Sequence, residues 1–390
     1  MPLPSELKDN NFKPTIFNRI QEEIDARSGD QDPIIPLHVG DTWFDLPEEL
    51  FIPLESEPWN KRLSRYGDTQ GEPELRNRLA AKIIERNNIP ISGPEEVQIT
   101  YGGSGGLFTA MRKLFEPGAE ILTLAPYWVI LKVVASSAGV ELVEVPIFDN
   151  LPEQPDQFDF EALCEPYLTD KTAGIYFNNP NNPSGVLLRK GHLEQIAEFA
   201  KEHDLWVLSD EAYEDFVWVD EPYISIASLP GMFERTVSVF TMSKSYAAAG
   251  LRLGCNAAPK GVIASLNPVN VGSGYEPNRL AQVQWIRGIE RHEEIIKRLR
   301  NSYQECLAAT IANLDVPYLR PEGSFYLFLD LRERWDGLSA DDKLESMFKA
   351  GVVMSLGEAF GKHCEGWARF CFVAEKPERI AEAARRVNRI

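Results

Sequence analysis

Between residues 97 and 240 short apolar runs alternate with stretches of helical spacing, and this alternation constrains the fold more than any other feature. Val97–Tyr101, Ile121–Leu124, Val140–Val145, Gly174–Phe177, Trp206–Ser209 and Val237–Phe240 read as strands. Helical spacing predicts helices over 72–88, with Pro73 in the first turn, and over Gly105–Leu114 and Lys190–His203. Nearly continuous apolar strands separated by helices belong to a mostly parallel sheet covered on both faces. Ligands of such sheets bind beyond the carboxyl ends of the strands. The residues that carry chemistry fall at those ends: Gly102–Gly106, Trp128, Asn182, Asp210 and Lys244.

From about residue 287 the texture changes. A long helix is predicted over Arg287–Leu314, strands over Gly323–Leu329 and Trp367–Val373, and a closing helix over Pro377–Ile390. A chain of 390 residues can hold two domains with a deep interface. The expected division is a large domain over 46–285 and a smaller α+β domain over 286–390, with residues 1–45 packing against the small domain.

The segment TMSKSYAAAGLRLG, residues 241–254, ends the last strand with small hydroxyl residues, Lys244 and, eight residues on, Arg252. Most lysines are solvated surface charges. A lysine at the end of a buried strand among small neighbours is poorly hydrated, so its pKa falls and its amine can form a Schiff base with an aldehyde. Thr241, Ser243 and Arg252 are groups that grip a phosphate dianion. Together they describe a site for pyridoxal 5′-phosphate (PLP).

Other segments supply partners for that group, though each has a plainer reading. GGSGG, 102–106, lies between a strand and a helix; Gly103 and Ser104 can turn backbone N–H groups and a helix dipole on an anion, or simply make a tight turn. It is neither a dinucleotide fingerprint nor a P-loop. Trp128 in PYW can stack on a flat heteroaromatic ring or pack in a core. In NNPNNPSG, 178–185, Asn182 can offer an amide N–H to a ring oxygen, or the segment can be a bare turn. In SDEAY, 209–213, Asp210 can keep a pyridine nitrogen protonated, which makes the ring an electron sink, or it can cap a helix. Tyr213 can hydrogen-bond the ring oxygen. Arg369 lies in the apolar run WARFCFV and needs an anion, either a substrate carboxylate or a structural acid.

Taken in order, these segments resemble the class I and II aminotransferases, PLP enzymes of fold type I. The resemblance runs from about Gly40 to Arg369. It rests on YGDTQGEPELR at 66–76, PYW at 126–128, NNPSG at 181–185, SDEAY at 209–213, Ser243-Lys244, Arg252 and Arg369. It implies an α/β fold whose large domain holds a mostly parallel seven-stranded sheet between helices, with a smaller α+β domain. It implies an amino group moved between an L-amino acid and a 2-oxo acid, with Lys244 as Schiff-base lysine and proton shuttle. It further implies Asp210 on the pyridine nitrogen, Asn182 and Tyr213 on the ring oxygen, and Trp128 over the ring. Gly103, Ser104, Thr241, Ser243 and Arg252 would hold the phosphate, and Arg369 the α-carboxylate. Gly40 belongs to the segment GDTWFDLP that covers the substrate. Tyr66 would reach the phosphate of a neighbouring subunit, so a homodimer is implied.

The chain departs from the family pattern at Ser184, where many members have threonine, and at Ser104, where some aspartate-directed members carry lysine. It departs again at Thr42-Trp43 and at VGSGYEPNR, 271–279, ahead of Gln282. The same scaffold supports elimination, cyclisation and oxidative chemistry on amino acids, and a non-catalytic ligand sensor is a further alternative. No basic helix-turn-helix stretch precedes the fold, and 59 acidic against 40 basic residues give a net charge of −19. Such a chain is a poor partner for nucleic acid or an anionic membrane. The first residues have neither a basic start nor an apolar core, and no run approaches the ~20 apolar residues of a membrane span. Five scattered cysteines without a C-x-x-C pair suggest a reducing compartment, and a cytoplasmic location is expected. None of the five histidines pairs at metal-ligand spacing, so no metal site is expected.

Overall fold

A computed structural model describes residues 16–52, 63–148, 151 and 158–390. Residues 1–15, with the start of the N-terminal segment, lie outside the described residues. The central sheet has seven strands: β1 (Val97–Thr100), β2 (Glu120–Ala125), β3 (Glu141–Pro146), β4 (Thr172–Asn178), β5 (Trp206–Asp210), β6 (Thr236–Thr241) and β7 (Gly254–Ala257). Their order is β1-β7-β6-β5-β4-β2-β3. Neighbours pair in parallel throughout except around β7, which is antiparallel to both β1 and β6. The six predicted strands are therefore present, with β7 as an addition. Its four residues, GCNA, are too few and too weakly β-forming to announce a strand.

Side-chain alternation along the central strands divides the core. Ile175 and Phe177 of β4 and Val207 of β5 pack with Leu193, Ile196 and Phe199 of the helix Lys190–Glu202. Tyr176 and Leu208, one residue out of phase, pack on the other face with Leu107, Ala110 and Met111 of the helix Gly102–Leu114. Asp210 continues the Leu208 parity, so its side chain belongs to the face that this helix covers.

A second, antiparallel sheet is built from β8 (Tyr318–Leu319), β9 (Tyr326–Asp330), β10 (Ser355–Leu356) and β11 (Trp367–Cys371), in the order β10-β11-β9-β8. Arg369 of β11 stands between Phe328 and Ser355 in register. Ile35–Pro36 pairs in parallel with Val352–Val353 and so ties the N-terminal segment to the C-terminal part of the chain. The helix predicted over Arg287–Leu314 is two helices, Arg279–Glu290 and His292–Ile311, because Arg291 leaves helical geometry (φ −117°, ψ 20°) while the apolar spacing runs on across the break. The strand predicted from Gly323 begins at Tyr326, after Ser324 takes a left-handed turn (φ 57°). No described helix is long and apolar enough to cross a membrane.

Candidate active site

The carboxyl ends of β4, β5 and β6, the start of the helix Gly102–Leu114 and the β9–β11 face enclose a cleft of about 280 Å³. It is lined by Gly40, Gly103, Ser104, Trp128, Asn182, Asp210, Tyr213, Thr241, Ser243, Lys244, Arg252 and Arg369. These are the sequence-selected residues with one exception. Tyr66 is 83% exposed, touches the Tyr275 ring at 4.9 Å, and lines a separate surface hollow with Tyr275, Glu276 and Arg279.

One corner of the cleft is built to receive an anion. Tyr101, which precedes the helix Gly102–Leu114, makes no side-chain cap, so the first-turn N–H groups are left for another acceptor. Gly102 has φ 72° and lies so close to Arg252 that a Cβ would come within 3.0 Å of the guanidinium. A Cβ on Gly254 would come within 2.8 Å of the Gly103 nitrogen, so glycine is what lets β7 lie against this loop. Thr241 caps the short helix Met242–Ser245 by accepting from the Ser243 N–H at 3.2 Å. Its hydroxyl also meets that of Ser243 at 2.9 Å. Arg252 donates to the Ala249 carbonyl at 2.8 Å and keeps its remaining N–H groups at the rim. A helix N-terminus, two hydroxyls and a guanidinium form a cup whose donors suit a phosphate.

Deeper in the cleft, Lys244 donates to the Gly40 carbonyl at 2.5 Å. Burial lowers its pKa below the ordinary lysine value, and Arg369 and Arg252 add to the effect against Asp41. Asp210 accepts from the Tyr176 hydroxyl at 3.1 Å and the Ala212 N–H at 3.3 Å. Burial nevertheless raises its pKa to about 6. An aspartate in this condition favours a cationic neighbour, which restores its charge. Asn182 donates to the Tyr213 hydroxyl at 3.1 Å and accepts from Arg369 Nη1 at 3.0 Å.

Arg369 is only 4% exposed. Nη2 donates to the His38 carbonyl at 2.7 Å, and its guanidinium lies 4.5 Å from the Tyr326 ring centre. Its Nε has no hydrogen-bond partner, and no described carboxylate lies within ion-pair distance. The structural acid that the sequence left open is absent among the described residues. A buried guanidinium without an anion is costly, and the cleft is where an anion can enter. The donor set therefore fits PLP and an amino acid carboxylate.

The sequence reading missed Tyr326, whose hydroxyl meets that of Tyr213 at 2.9 Å, and Tyr176 behind Asp210. Both are tyrosines inside apolar strands, and a phenol buried there seeks a polar partner. It also missed His38, whose ring burial and Arg369 push its pKa down to about 4. Among the described residues no cluster of His, Cys, Asp or Glu is arranged to hold a metal.

A doubly covered sheet with a buried lysine, a carboxylate and a phosphate cup at its strand ends defines a fold type I PLP enzyme. The family model for aminotransferase class I and II matches residues 34–387. The chain belongs to that family, and it is a PLP-dependent aminotransferase acting between amino acids and 2-oxo acids. It is 32% identical to an aspartate aminotransferase of Pyrococcus abyssi, with 96% of this chain and 95% of the relative aligned. It is 33% identical to aromatic-amino-acid aminotransferase 2 of Thermococcus litoralis, covering 92% of this chain and 91% of the relative. The structure superposes on aspartate aminotransferase from Thermus thermophilus with maleate at a TM-score of 0.85 and 27% identity, over 100% of this chain and 99% of that one.

Proposed function

We propose that the cleft between the two sheets is the transamination site, with Lys244 as the proton carrier and Arg369 as the carboxylate clamp. The observation that carries this reading is the juxtaposition, in one cleft, of a lysine of lowered pKa with a buried arginine that has no anionic partner among the described residues. When bound, PLP supplies an electron sink that weakens the α C–H bond of the amino acid. The helix start at Gly103 and Ser104, Thr241, Ser243 and Arg252 would hold its phosphate. Asp210 would face its ring nitrogen, Asn182 and Tyr213 its ring oxygen, and Trp128 its ring face.

Arg369 receives the α-carboxylate through its forked N–H groups, and the Asn182 and His38 contacts keep the fork from turning. Lys244, whose pKa burial lowers, takes the α-proton on Nζ and carries it for the return transfer, so one base serves both directions. Gly40, on the N-terminal segment, accepts from Lys244 and closes the cleft over the substrate.

The exposed Tyr66 fits a role across a subunit boundary, so the active species is read as a homodimer, working in the cytoplasm. Residues 46–285 are read as the cofactor-bearing domain, and 286–390, with the segment before residue 46, as the small domain.

Borohydride reduction of the holoenzyme followed by peptide mapping tests the site. PLP is expected on the peptide containing Lys244, and a modified lysine elsewhere overturns the assignment.

A further inference from the structure

Behind the turn that carries Lys244, on the side away from the cleft, lies a chain of buried polar groups that the mechanism above does not use. Trp285, Tyr246, His292 and Asp215 line one small buried pocket. Tyr246 and His292 Nδ1 lie 2.8 Å apart. His292 Nε2 lies 3.2 Å from Asp215 Oδ1. Ser245 lines the same pocket. Tyr246 and Nδ1 make the hydrogen bond of the row, and His292 Nε2 stands at ion-pair distance from the carboxylate without being aligned for a second one.

Asp215, His292 and Tyr246 are all buried. Charged groups pack around them. Arg86 is 3.6 Å from Asp215, and Lys82 and Glu214 form an ion pair alongside, with Lys82 4.9 Å from the Phe240 ring centre. Burial alone would raise the Asp215 carboxyl, yet the neighbouring His292 and Lys82 hold it below the usual carboxylate range.

The positions in sequence give the row its meaning. Asp215 follows Asp210 by five residues and Tyr213 by two. Ser245 and Tyr246 follow Lys244 by one and two. The segments after β5 and β6 each carry half of the proposed chemistry, and their cleft-facing residues must keep a fixed separation for proton transfer. His292 opens the helix His292–Ile311, which gives the two segments a common anchor outside the central sheet.

We propose that Asp215, His292 and Tyr246 are positioning residues that lock the Lys244 turn to the Asp210–Tyr213 segment, so that Lys244 Nζ stays aligned with the substrate α-carbon. This rests on the assignment of Lys244 as the proton carrier. The row touches neither cofactor nor substrate and acts only through the placement of Tyr246, two residues after Lys244.

Tyr246→Phe removes one hydroxyl and keeps the ring; His292→Gln is the second variant, should the first fail to fold. In holoenzyme kinetics kcat is expected to fall about tenfold, while KM stays within about twofold, because carboxylate binding at Arg369 is untouched. The rate with α-deuterated amino acid is expected to drop further below the protiated rate than in the parent, as proton transfer becomes limiting. An unchanged kcat, or a loss matched by loss of folded protein with an unaltered isotope effect, overturns the proposal. Borohydride mapping on the same samples separates the two assignments. Label on Lys244 with normal kinetics in the variants sinks only the positioning row, whereas label on another lysine of the parent sinks the site itself.

Discussion

Replacing Arg369 with lysine tests the carboxylate clamp. The substitution keeps a positive charge but removes the planar fork, and with it two parallel hydrogen bonds to a carboxylate. Hydrogen bonds to charged groups contribute about 1.5–3 kcal/mol each, so two amount to about 3–6 kcal/mol, or roughly 10²- to 10⁴-fold in kcat/KM. The retained ammonium places the expected loss at the lower end, near 10²-fold. Part of any loss is indirect, because Asn182 Oδ1 and the His38 carbonyl also lose their donor. The assay therefore changes the substrate as well. Single-turnover rates are measured with an amino acid and with the primary amine that lacks its carboxylate. The parent is expected to prefer the amino acid by about 10² or more, and Arg369→Lys to discriminate by about tenfold or less, a coupling only a direct contact produces. Equal discrimination by both proteins, with both folded, would refute the contact.

Glu211, 1% exposed, accepts from Ser225 at 2.6 Å and Tyr223 at 2.8 Å, yet burial raises its pKa to about 7 from 4.5. The folded state then holds a proton that the unfolded state releases between those values. Its stabilising contribution is complete below pH 4.5 and is lost as pH rises through about 7, a change on the order of 3 kcal/mol. Glu211→Gln is expected to flatten the denaturant-melt stability over that window, and an unaltered pH profile counts against it. A Cβ on Gly40 would come within 2.3 Å of the Tyr326 hydroxyl, so Gly40→Ala is expected to lower kcat/KM at least about tenfold, whereas Gly29→Ala, in open space, leaves it unchanged. If Tyr66 acts across a dimer, mixing and refolding the weakened Tyr66→Phe with the inactive Lys244→Ala regenerates one native site per heterodimer. Activity above that of either parent is expected, and its absence contradicts the trans arrangement.

The large sheet was legible because its central strands are buried on both faces and read as unbroken apolar runs. The cleft was legible for the same reason: strand ends in such a sheet converge, so residues 70 or more apart in sequence, such as Gly103 and Lys244, had to meet. What escaped is what period and composition do not encode. β7 is four residues long and turns antiparallel. The helix break at Arg291 leaves the apolar spacing intact, because a single non-helical residue shifts the phase too little to notice. Tyr326 and Tyr176 were hidden by their apolar surroundings, since only a contact across strands reveals what a buried phenol is bonded to. The row from Asp215 to Tyr246 joins three distant segments and has no sequence spacing at all.

The electrostatics of the cleft give one physical reason for its composition. Burial acts on Lys244 and Asp210 in opposite senses, lowering the one and raising the other, so each is pushed toward neutrality. Arg369 cannot neutralise itself and has no anionic partner among the described residues. Left alone, these groups cost stability, and a core of similar volume built from apolar side chains would be more stable. Each cost is removed by a different part of the proposed ligands: a protonated ring nitrogen restores the Asp210 charge, a carboxylate matches Arg369, and a phosphate occupies the cup at Gly103 and Arg252. Ligand binding to the folded state alone is then linked to stability, and the cleft is most strained where the incoming chemistry is most charged.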